Sequence, residues 1–109
     1  MSSFSKLLDK IVDCCGEDAR DSRRIAGCLE ERARSLDEAG DWRRSAPDLL
    51  RALGLDASYG TRKRLALDLG YDEELVVTKG SAEMNLWLLG ALRDRLAAEG
   101  IELPLAARS

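Results

Sequence analysis

Each long apolar-periodic stretch of this chain is closed by a glycine, and that punctuation limits what it can fold into. Gly16, Gly40, Gly54, Gly70 and Gly100 divide the sequence into short pieces. Within a piece, apolar residues recur at i, i+3, i+4 and i+7, the period of a helix that buries one face. A glycine just beyond such a run is a helix stop, because it takes the left-handed conformation that closes the last turn. Single helices of this length are marginal in water, so they have to cover one another. The expected fold class is therefore all-α, a small bundle of five helices.

The first helix runs from about Ser3 to Cys15, with Phe4, Leu7, Leu8, Ile11 and Val12 on one face. An acidic linker follows, whose one apolar residue is Ala19. The second helix is expected from about Ser22 to Ala39, with Ile25, Cys28, Leu29 and Leu36 inward. The third spans Ser45 to Leu53. Ser45 can cap it, Pro47 sits in the first turn where a missing N–H is harmless, and Asp48 has capping-box-like spacing. The fourth runs from about Ser58 to Leu69, and Tyr71 to Lys79 reads as a loop whose Leu75, Val76 and Val77 either form a brief extended piece or plug the core. The fifth, from about Ser81 to Glu99, carries Met84, Trp87, Leu88, Ala91, Leu92 and Leu96, widened by Leu86 and Leu89. So wide a stripe places it at the centre of the bundle, packed on two sides. The resulting organisation is an N-terminal amphipathic helix (1–16), a linker (17–21), a four-helix core domain (22–104) and a tail (105–109).

Totals narrow the function classes. With 109 residues, 45% of them apolar, a core can form without staples. Acids outnumber bases by 20 to 17, a net charge of −3, so the chain is not a general polyanion binder. Cys14, Cys15 and Cys28 are an odd set with no disulfide pattern, which points to a reducing, cytoplasmic setting. No apolar run reaches the roughly 18 residues of a membrane span, and the N-terminus lacks a secretory signal.

Chemistry is absent from the pattern. The chain has no histidine, so no Cys–His or Ser–His pair can form. Its acids lie beside arginines on charged faces, and no glycine-rich phosphate loop is present. Three cysteines fall one ligand short of a tetrahedral zinc site. No catalytic residue, cofactor or metal is expected, and the chain reads as a non-enzyme.

Between Ile25 and Pro104 the sequence resembles the bacterial family called domain of unknown function 3597. The likeness rests on Asp41-Trp42-Arg43-Arg44-Ser45, Asp48-Leu49-Leu50, Leu53-Gly54-Leu55-Asp56-Ala57-Ser58, Arg62-Lys63, Leu65-Ala66 and Leu69-Gly70-Tyr71. It continues through Ser81-Ala82-Glu83-Met84-Asn85-Leu86-Trp87-Leu88, then Leu96-Ala97 and Gly100, in the family's order. The resemblance implies a five-helix fold and assigns no activity. Here the linker after the first helix is short and acidic, where many relatives carry a long Ala/Pro-rich one. Arg64 stands where the family often has an acid, and the Glu74–Val77 loop is longer and more apolar.

Two functional readings follow. The first helix has a clean apolar face and a linker behind it, so it docks either on its own bundle or on a partner. Phe4, Leu7, Leu8 and Ile11 are the expected contacts to a protein partner or a second copy, which makes the chain an interaction or adaptor module. Lys6, Asp9, Lys10 and Asp13 balance on its polar face, so attraction to an anionic membrane is weak. The alternative is a nucleic-acid-binding helix-turn-helix over residues 45–69. The segment 41–70 carries six bases and four acids, net +2, between negative flanks. Arg43, Arg62, Lys63 and Arg64 would make the contacts. Trp42, Ser45, Asp48, Asn85 and Trp87 are expected to keep the fold. The tryptophans should pack together or on Leu50 and Leu88, and Asn85 should bond a backbone group of the preceding loop.

Overall fold

A computed structural model describes residues 3–15, 22–36 and 41–105. The described residues form five α-helices: α1 Ser3–Cys15, α2 Ser22–Ser35, α3 Ala46–Ala52, α4 Tyr59–Asp68 and α5 Glu73–Ala98. The expected linker 17–21 and Gly40 lie outside the described residues, as do the side chains of Cys14 and Cys15.

Three helices end in the same way, and the sequence explains why. After α3, Gly54 N–H donates to Arg51 C=O at 3.0 Å and Leu55 N–H to Leu50 C=O at 2.8 Å. The pair recurs at Gly70 and Tyr71 after α4, and at Gly100 and Ile101 after α5. This is the Schellman stop, in which a glycine of positive φ turns the chain and the next apolar residue folds back on the helix. Leu55 is half-buried, and Tyr71 and Ile101 are buried, so each stop also closes a piece of core. At the other end of α3, Ser45 Oγ accepts from Asp48 N–H at 3.4 Å, and the Asp48 carboxylate turns to Arg51 at 2.8 Å.

One core runs through all five helices. Phe4, Leu7 and Ile11 of α1 join Ile25 and Leu29 of α2, Leu49, Leu50 and Leu53 around α3, Leu65 of α4, and Met84, Leu88 and Leu92 of α5. α1 packs on α2 and α4, and α5 packs on α3 and α4. The Cα radius of gyration, 13.1 Å, is what a compact chain of this length should have. Arg95 lies over the Phe4 ring at 5.2 Å and ties the end of α5 to the start of α1.

Several boundaries differ from expectation. Residues 73–79 are not a loop but two helical turns. Asp72 caps them, its Oδ1 accepting from Glu74 N–H at 2.9 Å, and Glu73 and Glu74 favour the positive end of the helix. Val76 is buried in the core while Val77 is 85% exposed, a helical alternation too short to read from sequence. At the other end, Leu103 and Leu105 pack into the core, so the tail begins after residue 105.

Gly80 separates those two turns from the rest of α5, with φ 80° and ψ 178°. Side chains other than hydrogen essentially never adopt that backbone region. A Cβ at Gly80 would meet nothing within 4 Å, so the obstacle is conformational alone. Gly80→Ala is expected to cost about 1–3 kcal/mol, read from the urea midpoint at unchanged slope.

Candidate functional site

Most of the apolar face of α1 is spent inside the protein, with Val12 at its edge 42% exposed. Leu7 and Ile11 are fully buried, Phe4 nearly so, and Leu8 packs partly against the same core. The face expected to dock a partner is therefore covered by α2 and α4. Sequence could not decide this, because an amphipathic helix looks the same whichever surface it covers.

The basic segment is also partly committed. Arg62 donates from Nε to Ala57 C=O at 3.0 Å and from Nη1 to Asn85 Oδ1 at 2.7 Å. It thereby bolts the start of α4 to α5, and Asn85 serves that guanidinium rather than a loop backbone group. Arg43 pairs with Glu30 at 2.9 Å and lies 5.0 Å from the Trp42 ring centroid. Lys63 and Arg64 make no hydrogen bond or ion pair among the described residues. Of the four bases brought forward as nucleic-acid contacts, two hold the fold.

The positive end of α4 is occupied too. The Asp56 carboxylate accepts from Ser58 N–H at 3.0 Å, Ser58 Oγ at 2.8 Å and Thr61 Oγ1 at 2.8 Å. The Thr61 hydroxyl, then the two Ser58 donors, hold its carboxyl below the ordinary 3.8. A lowered folded-state value stabilises the fold fully above the unfolded value, and the benefit fades as pH falls through the folded one. Asp56→Asn is therefore expected to flatten the acid limb of the melting temperature below about pH 4. Parallel melts of both proteins between pH 6 and pH 2.5 check it. A cleft of about 440 Å³ lies beside this turn, with the buried Leu7 and Leu50 and the exposed Lys6 and Arg64 among its lining residues.

The tryptophans part company. Trp42 is 1% exposed and donates from Nε1 to Glu30 Oε1 at 3.2 Å. Trp87 is only half-buried and packs on Tyr71, their ring centroids 4.8 Å apart. The Tyr71 hydroxyl is buried without a hydrogen-bond partner among the described residues. Burial first, then the Glu83 and Asp72 charges, raises its pKa. An unmade bond of this kind costs about 1–3 kcal/mol, so Tyr71→Phe should leave the protein as stable or more so in thermal melts.

The open surface is on α5. Met84, Leu88, Leu89, Leu92 and Leu96 are buried, but the helix is not enclosed on both sides as expected: Leu86 is 44% exposed. Glu83, Leu86, Trp87, Gly90, Ala91 and Asp94 line an open groove of about 370 Å³. The spacing i, i+3, i+4, i+7, i+8, i+11 makes this a single helical stripe. Leu86 and Trp87 form its raised part, Gly90 and Ala91 its low part, and an acid stands at either end. Their place on the apolar stripe predicts core for Leu86 and Trp87, and that stripe gives Gly90 no part. The available signal is a glycine inside a strong helix, a residue that costs about 1 kcal/mol against alanine there.

The model of the DUF3597 family, a domain of unknown function, matches residues 6–104, nearly the whole chain. The chain belongs to this family. No curated protein and no solved structure matches it. The DUF3597 match starts within α1, earlier than the resemblance visible from Ile25, as suits a helix that shares the common core. Among the described residues of this DUF3597 chain, no helix is long and apolar enough to cross a membrane.

Proposed function

We propose that this DUF3597 chain is a non-catalytic protein-interaction module that works through the outer face of α5. The observation that carries the reading is the groove around Leu86, Trp87, Gly90 and Ala91, an apolar stripe left open while the α1 face is filled from within. A half-buried aromatic and an exposed aliphatic residue beside small ones are the kind of surface a partner helix uses. Catalysis finds less support. The chain has no histidine, and the side chains around the groove supply no nucleophile beside a base. Nucleic-acid binding loses support because Arg43 and Arg62 are engaged within the fold.

Photo-crosslinking side chains placed at positions 86 and 63, in cells that make the protein, separate the readings. A discrete protein adduct from position 86, lost on adding Gly90→Trp to fill the groove, is the expected result. Adducts to nucleic acid from position 63, with none from 86, would overturn it in favour of the helix-turn-helix.

A further inference from the structure

The groove on α5 differs from a bare apolar patch in how its charges are placed. Glu83 lies at one end of the stripe and Asp94 at the other, eleven residues apart. At 1.5 Å per residue that is about 16 Å, or three turns. Between them the lining is apolar: Leu86, Trp87, Gly90 and Ala91. Asp94 is 73% exposed and pairs with the adjacent Arg93 at 3.3 Å, a surface pair that a competing base can displace.

These charges decide between occupants. If two copies paired through α5 in antiparallel fashion, Glu83 of each would face Asp94 of the other. In a parallel pair, Glu83 would face Glu83 and Asp94 would face Asp94. Both symmetric arrangements set like charges together at each end of a small interface, on a chain whose net charge is already −3. A copy docking by a different surface would leave its own groove free and add further copies head to tail into rings or open chains. A helix with a lysine or arginine at each end meets neither penalty. It would seat an apolar side chain over Gly90 and Ala91, where the missing side-chain bulk lets two backbones approach to about 8 Å.

We infer that the α5 groove takes an amphipathic helix from a partner protein, apolar along one face and basic at two positions about three turns apart. The inference rests on the interaction-module reading and names the partner's chemistry. Because the acids are placed almost symmetrically about the groove's midpoint, they select for basic helices without fixing their direction.

The test selects a displayed library of 18-residue amphipathic helices, with randomised polar positions, against the full-length chain. Expected are binders carrying Lys or Arg at two positions ten to twelve residues apart, shifting the Trp87 indole resonance and lost on Leu86→Asp. Leu86 is exposed enough for that change to keep the fold, which a melting curve verifies. The double reversal Glu83→Lys, Asp94→Lys should weaken those peptides about tenfold, the worth of two rim charge pairs. It should also turn selection toward Asp and Glu. Binders that need Leu86 but show no basic preference would overturn the charge assignment and leave the interaction reading standing. A concentration-dependent dimer abolished by Leu86→Asp would give the groove to a second copy. No Leu86-dependent binder and no dimer would sink both the inference and the reading beneath it.

Discussion

A chain beginning at Asp18, without α1, is expected to lose cooperative unfolding. Phe4, Leu7 and Ile11 are each at least 94% buried, and full burial of such side chains is worth about 1.5–3 kcal/mol apiece. Together they supply about 5–9 kcal/mol, as much as the whole net stability of many small domains. The loss reaches further, because Leu65 of α4 and Ile25 and Leu29 of α2 belong to the core that α1 helps to cover. Urea denaturation followed by far-ultraviolet circular dichroism should show a shallow, non-cooperative slope, with light scattering reporting association of the uncovered surface. A shortened chain that stays monomeric and melts within a few degrees of the original would mean the α1 face is dispensable to the core. That outcome would return Phe4, Leu7, Leu8 and Ile11 to candidacy as partner contacts.

Trp42→Ala should be the most damaging single substitution outside α1, at about 3–5 kcal/mol, the usual cost of emptying a buried aromatic site. Three effects coincide there. The ring fills a fully enclosed space, its Nε1 bonds Glu30, and Arg43 lies over its face while pairing with the same carboxylate. Trp42→Phe separates them: it keeps most of the volume and removes the hydrogen bond, worth about 1 kcal/mol net. A Phe variant as damaged as the Ala variant would place the weight on the Glu30 bond, not on packing. Equilibrium unfolding of the three proteins distinguishes the cases.

Much of the fold was legible because its signals are local. The bounds of α1 followed from the period of its apolar residues. The three stops at Gly54, Gly70 and Gly100 followed from glycine plus a trailing apolar residue. Ser45 was readable as a cap from the residues just after it. What escaped was either ambiguous or distant. Asp72-Glu73-Glu74 reads equally as an acidic loop and as a capped helix start, and with Gly80 in the way no long period betrayed residues 73–79. The Arg62–Asn85 bond joins residues 23 positions apart, and Tyr71–Trp87 joins residues of α5 and the preceding turn, so neither has a spacing rule. The groove escaped for a third reason. A leucine and a tryptophan on a helix predict burial, and only the arrangement of the other helices reveals that Leu86 is left 44% exposed and Trp87 half-buried against Tyr71.

The contact between Phe4 and Arg95 carries a consequence for how the protein is made. The two ends of that contact are separated by nearly the whole described chain, and ribosomes add about 5–20 residues per second. The α1 residues therefore emerge early and wait on the order of 5–20 s for α4, α5 and residues 101–105 to appear. Throughout that interval a strongly amphipathic helix has at most α2 to lean on. During that interval the α1 face lacks the partners that later cover it, and it is then, more than once folded, that a chaperone would have something to hold.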